Sequence, residues 1–281
     1  MIKLRSKIRH ESKSKTDKQK RAVELYSWSP KNGGENFGDH ISGAIVRKML
    51  ALRDLDIDEI SNHTKQLLAV GSIMHFAKEG ATIWGTGVNG KVNPELHKFN
   101  NLDVRAVRGP LTREYLLKKG ITCPEIYGDP AILTHKLFQG RFSPREAEKK
   151  TPYIVIPNLH DLNRVEDFDN VVSPFDSWSN IIKKIINSES VISTSLHGII
   201  LAESFGVPAI LLRLSDTETI FKYEDYYFGS GRSTVIYTTS LKEAKSKIGL
   251  MDQPKFEIDR LTGEFPYDLW EKQQSEEVNS A

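Results

Sequence analysis

One cysteine, Cys123, stands among 281 residues, so no intramolecular disulfide can form. That excludes a disulfide-stapled secreted scaffold and fits a reducing cytoplasm. No run of about 18 apolar residues is present to span a membrane. The first 21 residues lack the apolar core of a signal peptide. They instead carry nine Lys or Arg against Glu11 and Asp17. This arm, residues 1–21, reads as disordered and solvated, open to peripheral contact with anionic lipid or a partner. Net charge is only +2, so no field strong enough to hold a nucleic acid is expected. Metal-ligand spacings and fixed-period repeats are both missing.

What the sequence does have is organised around Val191 to Leu212. Val191 and Ile192 end an apolar strand, and Ser193 to Ser195 offer capping hydroxyls. An apolar helix follows through Ile199, Ile200, Leu201, Ala202 and Phe205, and Gly206 stops it. Pro208 opens a second buried strand. His197 and Gly198 therefore fall at a helix N-terminus beside a strand's carboxyl end. Open α/β sheets bind ligands there, and the helix end favours anions. The plainer reading of a lone histidine is capping or packing.

Before this unit, Val23–Trp28 predicts a strand, a turn-rich loop spans 29–38, and Asp39 starts an amphipathic helix. Asn36 and Gly38 thus sit at a strand-to-helix turn, with Asp39 either a site acid or an ordinary cap. Gln66–Ser72 and Ala81–Trp84 predict strands. The second runs into Gly85-Thr86-Gly87-Val88-Asn89-Gly90, a literal G-x-G-x-x-G. No helix opens on it, because Lys91-Val92-Asn93-Pro94 follows, which argues against a dinucleotide site. Asp103–Val107 predicts a strand that presents Arg108 before Gly109 and Pro110, either as a surface cation or to an anion. Asp129 reads as a turn former rather than a catalyst.

Residues 139–151 turn polar and read as a linker between a first domain, 22–138, and a second, 152–281, with a helical tail. In the second, Tyr153–Pro157 and Asn170–Ser173 predict strands, and Trp178–Ile186 a helix. Phe221–Tyr227 reads either as an amphipathic surface stretch or as a site offering Lys222 to an anion and aromatics to a sugar face. Strands alternate with helices throughout, so the expected fold is α/β, with doubly wound parallel sheets.

Asn36-Phe37-Gly38-Asp39, Val70-Gly71-Ser72, Ile83-Trp84-Gly85-Thr86-Gly87, Arg105 to Pro110, Gly128 to Ala131, Ser195-Leu196-His197-Gly198 and Phe221-Lys222-Tyr223 occur in this order. Over residues 23–230 the chain resembles the polysaccharide pyruvyltransferases. The resemblance implies two Rossmann-like domains facing a cleft, similar to the GT-B arrangement. It also implies transfer of pyruvate from phosphoenolpyruvate to sugar hydroxyls of a polysaccharide or its lipid-linked precursor, as a ketal, with no cofactor. Many members carry arginine where this chain has Ser195. A subgroup of exopolysaccharide and glycan enzymes resembles it in carrying serine. The missing cation must then come from elsewhere, with Arg213 the candidate.

The donor's phosphate and carboxylate ask for cations and helix N-termini: Arg108, Lys222 and the His197 turn with Ser195, Leu196 and Gly198. The glycine loops at Asn36, Gly38, Gly85 and Gly87 would bring backbone N–H groups to the ligand. His197 is expected to protonate carbon 3 and Asp39 to take the hydroxyl proton, roles that can be exchanged. A GT-B glycosyltransferase with Glu203 as its nucleotide-binding acid is the nearest alternative. A catalytically silent sugar-binding protein is the other. Acceptor sugar, ring positions and oligomeric state are not encoded legibly.

Overall fold

The computed structural model describes residues 20–28, 36–61, 64–142, 150–250 and 252–271. Most of the basic arm and the middle of the predicted linker lie outside the described residues, as does the side chain of Asp39.

Apolar periodicity sets the elements. The first half contains β1 (Lys20–Arg21), β2 (Val23–Tyr26), α1 (Phe37–Ala51), β3 (Ile60–Ser61) and β4 (Lys65–Leu68). After these come β5 (Thr82–Trp84), β6 (Asp103–Ala106), α2 (Pro110–Lys118) and α3 (Thr134–Leu137). Ile41, Ile45, Val46, Met49 and Leu50 form the buried stripe of α1. Asn36 rather than Asp39 caps that helix, its side chain accepting from the Gly38 N–H at 3.4 Å. Asp39 is therefore the third residue of α1, not its start.

The second half contains β7 (Ile154–Ile156), α4 (Trp178–Ile186), β8 (Val191–Ser193), α5 (Leu196–Ser204) and β9 (Ala209–Leu212). It continues with α6 (Phe221–Gly229), β10 (Tyr237–Thr238), α7 (Leu241–Lys247) and α8 (Ile258–Gly263). Ser177 caps α4, and Gly206, with φ 69°, follows the end of α5.

Two four-stranded parallel sheets result, in the orders β2-β4-β5-β6 and β7-β8-β9-β10; β1 and β3 form a small antiparallel pair. The predicted strand at Asn170–Ser173 is reduced to one parallel bridge, Val155 to Val171, held by two backbone bonds. It lies on the side of β7 away from β8, so the chain order across this sheet reverses at β7. In the first sheet the named strands run in sequence order, without the reversal of a doubly wound sheet.

The halves are not separate cores. One apolar cluster joins Val23, Leu67 and Ala106 of the first sheet to Ile154, Val191 and Leu211 of the second, through α1, α4 and α5. The C-terminal segment returns to the first half: Trp84 Nε1 donates to the Leu261 carbonyl at 2.9 Å, and Tyr267 Oη to that of Met49 at 3.1 Å. The stretch read as amphipathic surface is α6, and its Tyr223, Asp225, Tyr226 and Tyr227 are buried. An amphipathic pattern marks a helix face but not what covers the polar side.

Candidate active site

The carboxyl ends of β7 and β8 flank the reversal in strand order, the place where a crevice opens in sheets of this kind. Asn158 follows β7, and Ser195 to His197 follow β8. Asn158 ties the two turns together: its N–H donates to Thr194 Oγ1 at 2.9 Å and its Nδ2 to the Thr194 carbonyl at 3.1 Å. A cavity of about 310 Å³ opens there. From the second half Asn158, Ser195, Leu196, His197, Glu218 and Lys222 line it; from the first, Trp28, Asn36, Ser72, His75, Phe76 and Lys91 are among its walls.

His197 lies in the first turn of α5 with its side chain 13% exposed. Its Nε2 is buried, has no hydrogen-bond partner among the described residues, and stands 3.7 Å from Asp129 Oδ2. Asp129 is fully buried; its Oδ2 accepts from the Gly71 N–H at 3.1 Å and its Oδ1 from the Ala131 N–H at 3.0 Å. Two backbone donors thus fix a carboxylate in front of the imidazole. The turn-forming role read from the sequence is real, but the same side chain also faces the histidine. The Gly-Asp-Pro spelling signals only a turn, since His197 is 68 positions away in sequence.

Gly38 supplies the other wall of the ring. A Cβ on Gly38 would lie 2.2 Å from His197 Nδ1, so only glycine lets the first turn of α1 meet the first turn of α5. The N-terminal ends of both helices therefore converge on one imidazole. Gly198 has a different use: a Cβ there would meet Ser193 Oγ at 2.3 Å and the Ile156 side chain beyond, so it seats α5 on the sheet.

Elsewhere in the lining, Lys222 Nζ pairs with Glu218 Oε2 at 2.6 Å, and Lys91 Nζ with Glu218 Oε1 at 2.5 Å. Burial pushes the Lys222 ammonium below its ordinary range, against the pull of Glu218, while Lys91 and Arg108 add to the lowering. Burial also works to raise the Glu218 carboxyl, but Lys222 and Lys91 outweigh it and hold it below its ordinary value. His75 is lowered by burial and then by Lys91. Behind it, His97 is lowered to about 4 by burial, with His75 and Lys119 contributing. The cavity thus holds two lysines on one carboxylate beside His75, whose charged form burial and Lys91 disfavour. Lys91 and Glu218 carried no sequence signal beyond their type; the fold alone brings them to Lys222.

Arg108 requires a correction. It is neither a surface cation nor a wall of the cavity, but is fully buried with Asp225. Its Nε donates to Asp225 Oδ2 at 3.0 Å, Nη1 to Ser72 Oγ at 2.5 Å and Nη2 to the Val88 carbonyl at 2.6 Å. Asp225 also accepts from Thr112, N–H at 2.8 Å and Oγ1 at 2.6 Å. Each guanidinium nitrogen is bound by the protein, and Ser72, one of its partners, lines the cavity. Gly87 serves this packing, because a Cβ on it would lie 2.4 Å from the Arg108 guanidinium carbon. Gly85, with φ 89°, packs against Pro130 and the Gly128 carbonyl. Neither glycine lines the cavity. Arg213 also lies outside its lining: Nη2 bonds Asp216 at 2.8 Å and the guanidinium covers the Tyr237 ring. Glu203 is taken by Arg232 at 2.6 and 3.1 Å and by Tyr226 Oη at 2.6 Å. No group of three or more metal-ligating side chains occurs among the described residues, and no described helix is long and apolar enough to cross a membrane.

Comparison with known proteins places this geometry in a family. The succinoglycan biosynthesis protein ExoV of Rhizobium meliloti is 27% identical over 216 residues, covering 72% of this chain and 63% of ExoV. The chain thus spans less than two thirds of that relative's length. An uncharacterized protein of Acanthamoeba polyphaga mimivirus is 26% identical over 242 residues, covering 80% of this chain and 82% of that one. Among solved structures, a functionally uncharacterized protein of Klebsiella pneumoniae superposes with a TM-score of 0.50 at 12% identity, over 78% of this chain and 92% of its own. That likeness concerns the fold alone. The family model for polysaccharide pyruvyl transferases matches residues 36–216, from the Asn36 cap of α1 through β9 with His197 between, and the chain belongs to that family.

Proposed function

We propose that this chain is a transferase that moves the pyruvyl unit of phosphoenolpyruvate onto sugar hydroxyls of a polysaccharide or its lipid-linked precursor, releasing phosphate and leaving a ketal. The observation that carries the reading is His197, a buried imidazole at the convergence of two helix N-termini, backed by Asp129 and lining one cavity with two lysines. Family membership supports the pyruvyl unit and the polysaccharide acceptor.

The steps balance without a cofactor. His197 gives a proton to carbon 3 of the donor, and carbon 2 becomes electrophilic. One acceptor hydroxyl oxygen bonds carbon 2 and gives up its proton, for which Asp39, in the first turn of α1, is the proposed base. The bond from carbon 2 to the phosphate oxygen breaks as a second hydroxyl oxygen adds, and phosphate leaves with that hydroxyl's proton. Lys222 and the α5 N-terminus hold the donor's anions through charge-assisted hydrogen bonds. Asp129 positions the imidazole and favours it after it takes up a proton. Trp28 and Phe76 offer apolar faces to a sugar ring at the other end of the cavity. We place the protein in the cytoplasm, on the donor's chemistry.

The test is incubation with phosphoenolpyruvate and a panel of galactosides, glucosides and N-acetylmannosaminides, following phosphate release and acceptor mass. A mass gain of one pyruvate ketal, with solvent deuterium in its methyl group, is the expected result. Sugar binding without turnover on any acceptor would overturn it.

A further inference from the structure

Two lysines from different halves share one carboxylate in the cavity. Lys91 belongs to the loop after β5 and Lys222 to the first turn of α6, while Glu218 precedes α6. Side-chain exposures are 36% for Lys91, 13% for Lys222 and 11% for Glu218. His160 Nε2 is a further 3.7 Å from Glu218 Oε1, and its side chain is 59% exposed. Arg108, under α6, also acts on Lys222 but is matched by Asp225. One carboxylate cannot match two ammonium groups, so the cluster keeps a positive charge.

The backbone around the cluster is fixed. Thr219 Oγ1 donates to the Asn89 carbonyl at 2.9 Å across the two halves. Asn89 Oδ1 accepts from the Lys91 and Val92 N–H groups at 2.9 and 3.0 Å. Gly90, with φ 78°, packs so closely on Phe221 that a Cβ would lie 2.5 Å from its side chain. Both lysines are therefore presented on a rigid frame, and only side-chain torsions need change for their partner to be exchanged.

We propose that Lys91 and Lys222 together form the anion site for a phosphate- and carboxylate-bearing donor, with Glu218 as the internal carboxylate that the donor must displace. This rests on the reading of the cavity as the donor site, and it assigns Lys91 and Glu218 roles that the sequence did not suggest. An incoming phosphate carries more charge than the carboxylate it replaces. Exchanging anion for anion keeps the buried Lys222 ammonium paired, so its desolvation is not left uncompensated. Lys91 supplies positive charge from the other half to the cavity that Ser195 and Lys222 also line. Glu218 then sets affinity: it holds the lysines in place and competes with every anion that enters.

Titration calorimetry with inorganic phosphate and with phosphoenolpyruvate, at one ionic strength, tests this. Glu218→Gln is expected to bind phosphate about tenfold more tightly than the wild type, and Lys91→Gln about tenfold more weakly. Unchanged or weaker phosphate binding in Glu218→Gln, or unchanged binding in Lys91→Gln, overturns the proposal. Lys91 is more than a third exposed, so its variant tests the site even where Glu218→Gln fails to fold. Phosphate affinities that follow this order in a protein that makes no pyruvylated product would sink the proposed reaction and leave the lysine site standing. Product formation with phosphate affinity indifferent to Glu218 would do the reverse.

Discussion

Helix α6 carries two charges three residues apart, and they have opposite fates. Asp225 faces inward, fully buried, and meets Arg108, Thr112 and nothing from solvent. Lys222 faces the cavity, shares Glu218 with Lys91, and keeps side-chain exposure of 13%. In the first cluster every strong donor has its acceptor, so the group has nothing left to offer a ligand. In the second, two cations divide one anion, and a ligand can improve the match. A buried charge that is fully satisfied holds structure together; one that is undersupplied with partners can recruit an anion.

Mutations at His197 and in the two charge clusters should separate their roles. His197→Gln should give the largest effect, a loss of turnover of roughly 10²–10⁴-fold with little change in melting temperature, because glutamine keeps hydrogen bonding but cannot transfer the proton. Steady-state rates near wild type would remove the histidine from the acid role and make Asp39 the next residue to test. Arg108→Ala should act on stability instead, lowering unfolding free energy by about 3–5 kcal/mol because Asp225 is left buried and uncompensated. Denaturant unfolding checks this, and a fully stable variant would mean that the buried pair is not structural. Gly38→Ala should cut turnover by roughly 10²-fold through displacement of the imidazole. Alanine is the better helix former, so a stability loss in α1 would not account for it.

Lys222→Ala, the counterpart of Arg108→Ala, should weaken donor binding about tenfold to a hundredfold. Its melting temperature should barely move; if instead it unfolds like the Arg108 variant, the contrast between the clusters fails. The smallest effect concerns pH. His97 has its pKa lowered to about 4, against an ordinary 6.5, so the folded protein holds it neutral. Unfolding lets it take up a proton, so its contribution to stability is complete above about pH 6.5 and is lost as pH falls toward about 4. His97→Phe should flatten that part of a thermal pH scan.

Much of the secondary structure was legible. The helix Trp178–Ile186 has the predicted bounds, and β8, α5 and β9 follow the Val191–Leu212 reading closely. His197, Asn36, Ser195, Leu196 and Lys222 line the cavity, and Gly38 packs on the histidine. Arg108 was misread because an arginine before Gly-Pro looks the same whether solvent or α6 lies beyond it. Gly85 and Gly87 were misread for a related reason: close approach to a neighbouring residue and to a ligand demand the same missing Cβ. Asp129 read as a turn former in preference to a catalyst, since a local turn explains its neighbours and hides a partner far along the chain.

By itself, the sequence determined the alternation of strands and helices, the parallel sheets, and the presence of a histidine at a helix start after a buried strand. These depend on periodicity and on capping chemistry, which act over a few residues. Tertiary structure alone decided which charges face the cavity and which are sealed. Both kinds of charge sit on the same helix, and only the neighbours brought in from the other half set their solvation and their partners.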